Sequence, residues 1–129
     1  MATVTVSSPV SPRKMDYRGV YVNEWTPLTT TNTDGSWIEL PRHSDRSVHV
    51  SGTFGVGGSV RIQGTNQVDG SGLPINPVAL SDQGGTALDI TAASIKTVLQ
   101  TSRFIRPLVT AGDGTTSLTV TLISKGDDL

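Results

Sequence analysis

Near the end of the chain Leu118, Val120 and Leu122 alternate with Thr119 and Thr121, a period of two that turns one set of side chains to a core and the other to water. The preceding run, Phe104-Ile105-Arg106-Pro107-Leu108-Val109-Thr110, is also of β type. Between them Ala111-Gly112-Asp113-Gly114-Thr115 supplies residues that tolerate positive φ. A hairpin over residues 103–123 is therefore expected. Because a lone hairpin is marginally stable, the upstream runs must supply a second layer over its apolar face.

Those runs follow the same pattern. Tyr17 to Trp25 reads as a strand ended by Thr26-Pro27, with Tyr17, Tyr21 and Trp25 on one face and Val20 and Val22 on the other. A Thr- and Asn-rich loop closed by Asp34-Gly35 leads to Ser36-Trp37-Ile38-Glu39-Leu40, in which Trp37 reads as a core residue. Pro41 to Asp45 reads as a polar turn. Arg46 to Phe54 then alternates, with Val48 and Val50 inward and His49 outward. Beyond Gly55-Val56-Gly57-Gly58, Ser59 to Asn66 alternates again with Val60 and Ile62 inward, which predicts a second hairpin across the glycines. Residues 67–77 read as a long loop, and Val78 to Ile90 as a shorter third pair around Ser81-Asp82-Gln83-Gly84-Gly85.

One helix is expected at most, over residues 91–100, where Thr91 caps and Ile95, Val98 and Leu99 share a face at helical spacing. Six to eight short strands with turn signals between them predict an all-β antiparallel sandwich or jelly roll over residues 16–129. Ahead of it, Thr3-Val4-Thr5-Val6 is β-prone, but Pro9 and Pro12 favour extended or polyproline II backbone. Residues 1–15 thus read as an extended arm, either a frayed terminus or a strand laid on a neighbouring subunit.

Composition narrows the function classes. The chain has 129 residues, enough for one domain with its own core. Only 5% of them are aromatic, which implies a thin core and burial completed by neighbouring subunits. A net charge of −1 with scattered basic residues gives no footprint for a nucleic-acid backbone, so no nucleic-acid partner is expected. Cysteine is absent, which excludes disulfides and thiolate chemistry and fits synthesis in a reducing cytoplasm. The first residues lack a basic then apolar leader, and no segment approaches eighteen apolar residues, so neither secretion by that route nor a membrane partner is expected.

No catalytic set can be assembled. His43, Asp45 and His49 invite a metal or acid–base reading, but they share a face only if a strand runs regularly through the polar turn, and no further acidic ligand lies nearby. Solvated surface histidines are the plainer reading. Asp34-Gly35, Asp69-Gly70 and Asp113-Gly114 are turn chemistry, without the spacing of a calcium loop. Gly55-Val56-Gly57-Gly58 lacks the following Lys-Ser or Lys-Thr of a phosphate loop. Arg103 and Arg106, flanking a strand, are expected to pair with carboxylates of adjacent strands. No enzyme activity, metal or cofactor is expected.

Val48 to Phe54, Gly58-Ser59-Val60-Arg61-Ile62-Gln63-Gly64-Thr65-Asn66, Arg103-Phe104-Ile105-Arg106-Pro107, Gly112-Asp113-Gly114 and Leu118 to Leu122 together resemble small β-sandwich proteins of tailed-bacteriophage virions. The resemblance is to the capsid cement, or decoration, proteins of the Bordetella phage type. It implies a jelly roll on the outside of an icosahedral shell, usually a homodimer, that clamps neighbouring major capsid protein subunits after expansion. It brings no catalytic residues. The implied location is the outer capsid surface of the virion. On this reading the interface candidates are Thr3, Val4, Val6 and Val10 of the arm and the aromatic face of Tyr17, Tyr21 and Trp25. The alternative is a carbohydrate-binding sandwich, free or on a phage tail, that takes surface glycans on Trp25, Trp37 or Tyr21.

Overall fold

A computed structural model describes residues 19–126 together with two short strands upstream of them, β1 (Thr3–Val4) and β2 (Arg13–Lys14). The strands that follow are β3 (Val20–Leu28), β4 (Asp34–Gly35), β5 (Ile38–Glu39), β6 (His43–Thr53) and β7 (Ser59–Thr65). After them come β8 (Gln67–Val68), β9 (Pro74–Ile75), β10 (Val78–Ala79), β11 (Asp89–Ile90) and β12 (Ser94–Val98). The chain closes with β13 (Phe104–Ala111) and β14 (Ser117–Gly126). Among the described residues there is no helix, and the chain is all-β as its patterning predicts.

Two sheets hold the long strands. One has the order β12-β6-β14-β3-β2; the other runs β1-β4-β13-β7-β10, with β11 also on β7 and β5 on β13. All pairings are antiparallel except β1 with β4. The inward residues of both sheets meet in one apolar cluster that joins Trp25, Val48, Val50, Leu118, Val120 and Leu122 to Val60, Ile62, Ile105 and Val109. The period-two patterns of β6, β7, β13 and β14 therefore place their apolar positions as the sequence predicts.

The pairing of those strands does not follow the sequence expectation. Neither predicted hairpin forms: β13 pairs with β7 in one sheet, whereas β14 pairs with β6 and β3 in the other. Likewise β6 and β7, on either side of the glycines, belong to opposite sheets. Both Gly-rich segments are corners that carry the chain from one layer to the other. Positive-φ glycines serve a corner as readily as a hairpin, and only burial of both apolar faces against each other decides between them.

Three local expectations also change. Within residues 91–100 the chain forms the edge strand β12, paired with β6 from Val98↔Arg46 to Ser94↔Val50, rather than a helix. In this extended form Val98 is buried while Ile95 and Leu99 are exposed. The strand expected to stop at Thr26-Pro27 runs on to Leu28, which is fully buried, with a register shift between Leu118 and Val120 of its partner accommodating the irregularity. The polar turn is shorter than expected, because β6 already begins at His43. The third pair survives at its base, where Ser81 bridges Ala87, but both of its legs lie along β7.

Candidate interaction surface

The two sheets present outer faces of different chemistry. On the five-stranded sheet the pairing register lines up Ile95, His49, Thr121 and Glu24 in one row and Thr97, Ser47, Ile123, Val22 and Arg13 in the next. A third row sets Ser51 opposite Thr119, whose hydroxyl lies 2.7 Å from that of Thr26. Ile95 and Ile123 are 66% and 44% exposed. Among the described residues the face is a field of hydroxyls and isolated aliphatic side chains, with His49 within it, Glu24 and Arg13 on the β3–β2 side and Lys125 at the end of β14.

The seven-stranded sheet carries charge instead. Arg61 meets Asp89 at 2.8 Å, and Arg103 meets Glu39 at 2.6 Å. Arg106 lies 3.9 Å from Asp34, donates to Gln63 at 3.1 Å and sits over the Trp37 ring at 4.4 Å. Trp37 in turn meets the edge of Phe104. Both expected pairings of Arg103 and Arg106 with carboxylates on adjacent strands are therefore present. Trp37, read from the sequence as a core residue, is half-buried beneath a guanidinium, outside the apolar cluster.

The candidate interface residues separate. Trp25 is buried in the core at 1% exposure, with its indole Nε1 donating to the Ser36 carbonyl at 3.0 Å. It is no surface platform: on β3 as far as Trp25 the odd-numbered positions point inward, so the aromatic face is the core face. Tyr21, on the same face, is half-buried and meets the His43 ring edge-on at 4.6 Å. Backbone pairing places Thr3 opposite Asp34 and Val4 opposite Gly35, at the edge of the chain's own seven-stranded sheet. Val6, Val10 and Tyr17 lie outside the described residues, as does most of the arm.

The histidines do not form a site. The His43 ring packs between Tyr21 and Gly126, and both of its nitrogens are buried without a hydrogen-bond partner. Burial, with Arg46 and Arg42 nearby, lowers its pKa and favours the neutral ring. Asp45 is exposed at a φ of +49°, and His49 projects from the outer face. Among the described residues no three His, Cys, Asp or Glu side chains gather as a metal site would require. Asp34-Gly35 is a short strand rather than a turn. By contrast the Asp69 and Asp113 carboxylates do cap turns, accepting from Ser71 and Leu73 in one case and from Thr115 in the other.

Behind these surfaces lies a buried cation that sequence reasoning passed over. Arg46 is 1% exposed and donates through Nε to the His43 carbonyl, through Nη2 to the Leu40 and Ser102 carbonyls, and through Nη1 to Ser102 Oγ. Its acceptors are neutral oxygens, and burial brings its pKa down to about 10. The alternation that puts Val48 and Val50 inward also puts Arg46 inward, so the signal was there in its position. The chain matches no protein-family model, no curated protein and no solved structure.

Proposed function

We propose that this protein is a jelly-roll decoration protein of a tailed-phage capsid, a homodimer that binds the outer shell surface and clamps neighbouring major capsid protein subunits. On this reading it is a structural component of the virion and not an enzyme. The resemblance over residues 46–123 suggests the role. The observation that supports it is the outer face of the five-stranded sheet. Docking on a shell strips water from whatever it covers, and stripping charges costs far more than stripping hydroxyls and methyl groups. The part of the face over β12, β6 and β14, from Ile95 and Thr97 through Ser47 and Ser51 to Thr119, Thr121 and Ile123, meets that condition, with Glu24 and Arg13 set on the β3–β2 side and Lys125 at the end of β14. The serine and threonine hydroxyls can pair with backbone groups of the shell. Many copies, each burying a modest area, hold a shell by avidity. The alternative, sugar stacked on aromatic platforms, is weakened because Trp25 is in the core and Trp37 is covered by Arg106.

The test is co-sedimentation of purified protein with expanded shells that lack it, together with its mass in solution. Saturable binding and a dimer mass are expected, with retention reduced at least tenfold by Ile95→Glu combined with Ile123→Glu. A monomer that fails to bind would sink the proposal. Full decoration by a chain without residues 1–15 would remove the arm from the interface.

A further inference from the structure

At one end of the seven-stranded sheet lies a cleft of about 460 Å³ that belongs to neither outer face. It opens between the end of β7, the β8–β9 hairpin, β10 and residues 100–102. The volume is within the range of small-molecule sites. From its construction we infer that this cleft binds a neutral saccharide, one or two sugar residues of a larger glycan.

Its lining has two parts. Gly64, Leu80 and Val78 make an apolar floor. Gly64 is obligatory there, since a Cβ would run into Ser102 Oγ and come within 2.8 Å of Leu80 Cδ2. Val78 is 63% exposed and leaves an aliphatic surface on that floor. Around it stand Asn66, Gln67, Asn76 and Thr101, with no charged side chain among the lining residues. These groups are held rather than loose. Asn66 Oδ1 accepts from the Arg103 backbone N–H at 2.7 Å, and Asn76 Nδ2 donates to Gln67 Oε1 at 2.8 Å. On the far wall Gln100 is fixed by two bonds to Ser81, at 2.8 and 2.7 Å.

Those bonds determine what the cleft has left to offer. Among the described residues, Asn66 Nδ2 and Gln67 Nε2 remain as donors, Asn76 Oδ1 as an acceptor, and the Thr101 hydroxyl as both. A sugar ring has an apolar face of C–H groups and a rim of hydroxyls, each of which donates and accepts. An aliphatic floor inside a ring of mixed, uncharged partners is complementary to that pattern. A carboxylate or ammonium ligand would find no counter-charge among the lining side chains. The prearranged amides lower the ordering cost of binding. This site shares no residue with the aromatic platforms considered above, nor with the face proposed to meet the shell.

The test uses the full chain, displayed as a multivalent tagged protein on an array of neutral and acidic glycans, followed by amide-shift titration with the best-retained glycan. Retention of neutral glycans is expected, with shifts confined to residues 64–67, 76–80 and 100–102. Val78→Arg, a change at an exposed edge position, should reduce that retention at least tenfold while leaving shell co-sedimentation and the far-ultraviolet spectrum unchanged. No retained glycan, retention of acidic glycans alone, or retention unaffected by Val78→Arg would each overturn the inference.

Discussion

Arg46 and Asp113 show how far a single charged residue governs this fold. Arg46 ties the carbonyls of Leu40, His43 and Ser102 together from inside the sandwich. Replacing it with Ala leaves buried carbonyls without a donor, at a cost of about 3 kcal/mol by urea unfolding. Arg46→Lys should recover less than half of that, because one ammonium cannot reproduce the planar fork. Asp113 works at the surface. Its carboxylate accepts from the Val56 N–H and from the backbone and hydroxyl of Thr115, so that one corner between the sheets is pinned to the other. Those bonds, the Thr115 hydroxyl foremost, lower its pKa from 3.8 to about 2. A carboxylate with a depressed folded pKa contributes stability that is fully present above the unfolded pKa and lost as pH falls through the folded one. Asp113→Asn should therefore melt lower than wild type at pH 7. The gap should close between about pH 4 and pH 2 in thermal melts run across that range.

The elements divide into those the sequence announces and those it conceals. Alternation in β6, β7, β13 and β14 identifies strands and inward residues, because burial of one face is a property of each strand alone. Partnership is not: the segments 54–58 and 111–116 carry hairpin residues, yet both cross between layers. Residues 94–99 mislead for a related reason. The spacing of Ile95, Val98 and Leu99 fits a helix, but pairing with β6 buries Val98 alone and leaves the other two in solvent. The candidate site was less legible still, since cross-strand rows such as Ile95, His49, Thr121 and Glu24 draw on four distant segments. The first corner supplies an element-scale prediction. At Gly58 a Cβ would collide with the Phe54 carbonyl, whereas at Gly57 it meets open space and only the φ of +68° resists a side chain. Gly58→Ala should cost about 2 kcal/mol or more, and Gly57→Ala about 1 kcal/mol, in parallel urea titrations.

For the whole molecule, the sandwich gathers its ion pairs on one face and its hydroxyls on the other, and the separation decides how it should respond to salt. The seven-stranded face is a lattice of Arg61, Arg103 and Arg106 with Asp89, Glu39 and Asp34. The five-stranded face offers Ser, Thr and Ile over β12, β6 and β14, with His49 among them and Glu24, Arg13 and Lys125 toward its β3–β2 side and the end of β14. If the shell meets the charged face, association depends on pairs that are screened over about 8 Å at physiological ionic strength, and affinity should fall steeply as salt rises. If it meets the hydroxyl face, as proposed, the attraction is burial and neutral hydrogen bonding, neither of which is screened. Shell co-sedimentation between 50 and 500 mM sodium chloride should then change by less than threefold. A fall of tenfold or more would transfer the docking surface to the face of Arg103 and Arg106. Arg106→Gln would then weaken decoration where Ile123→Glu would not.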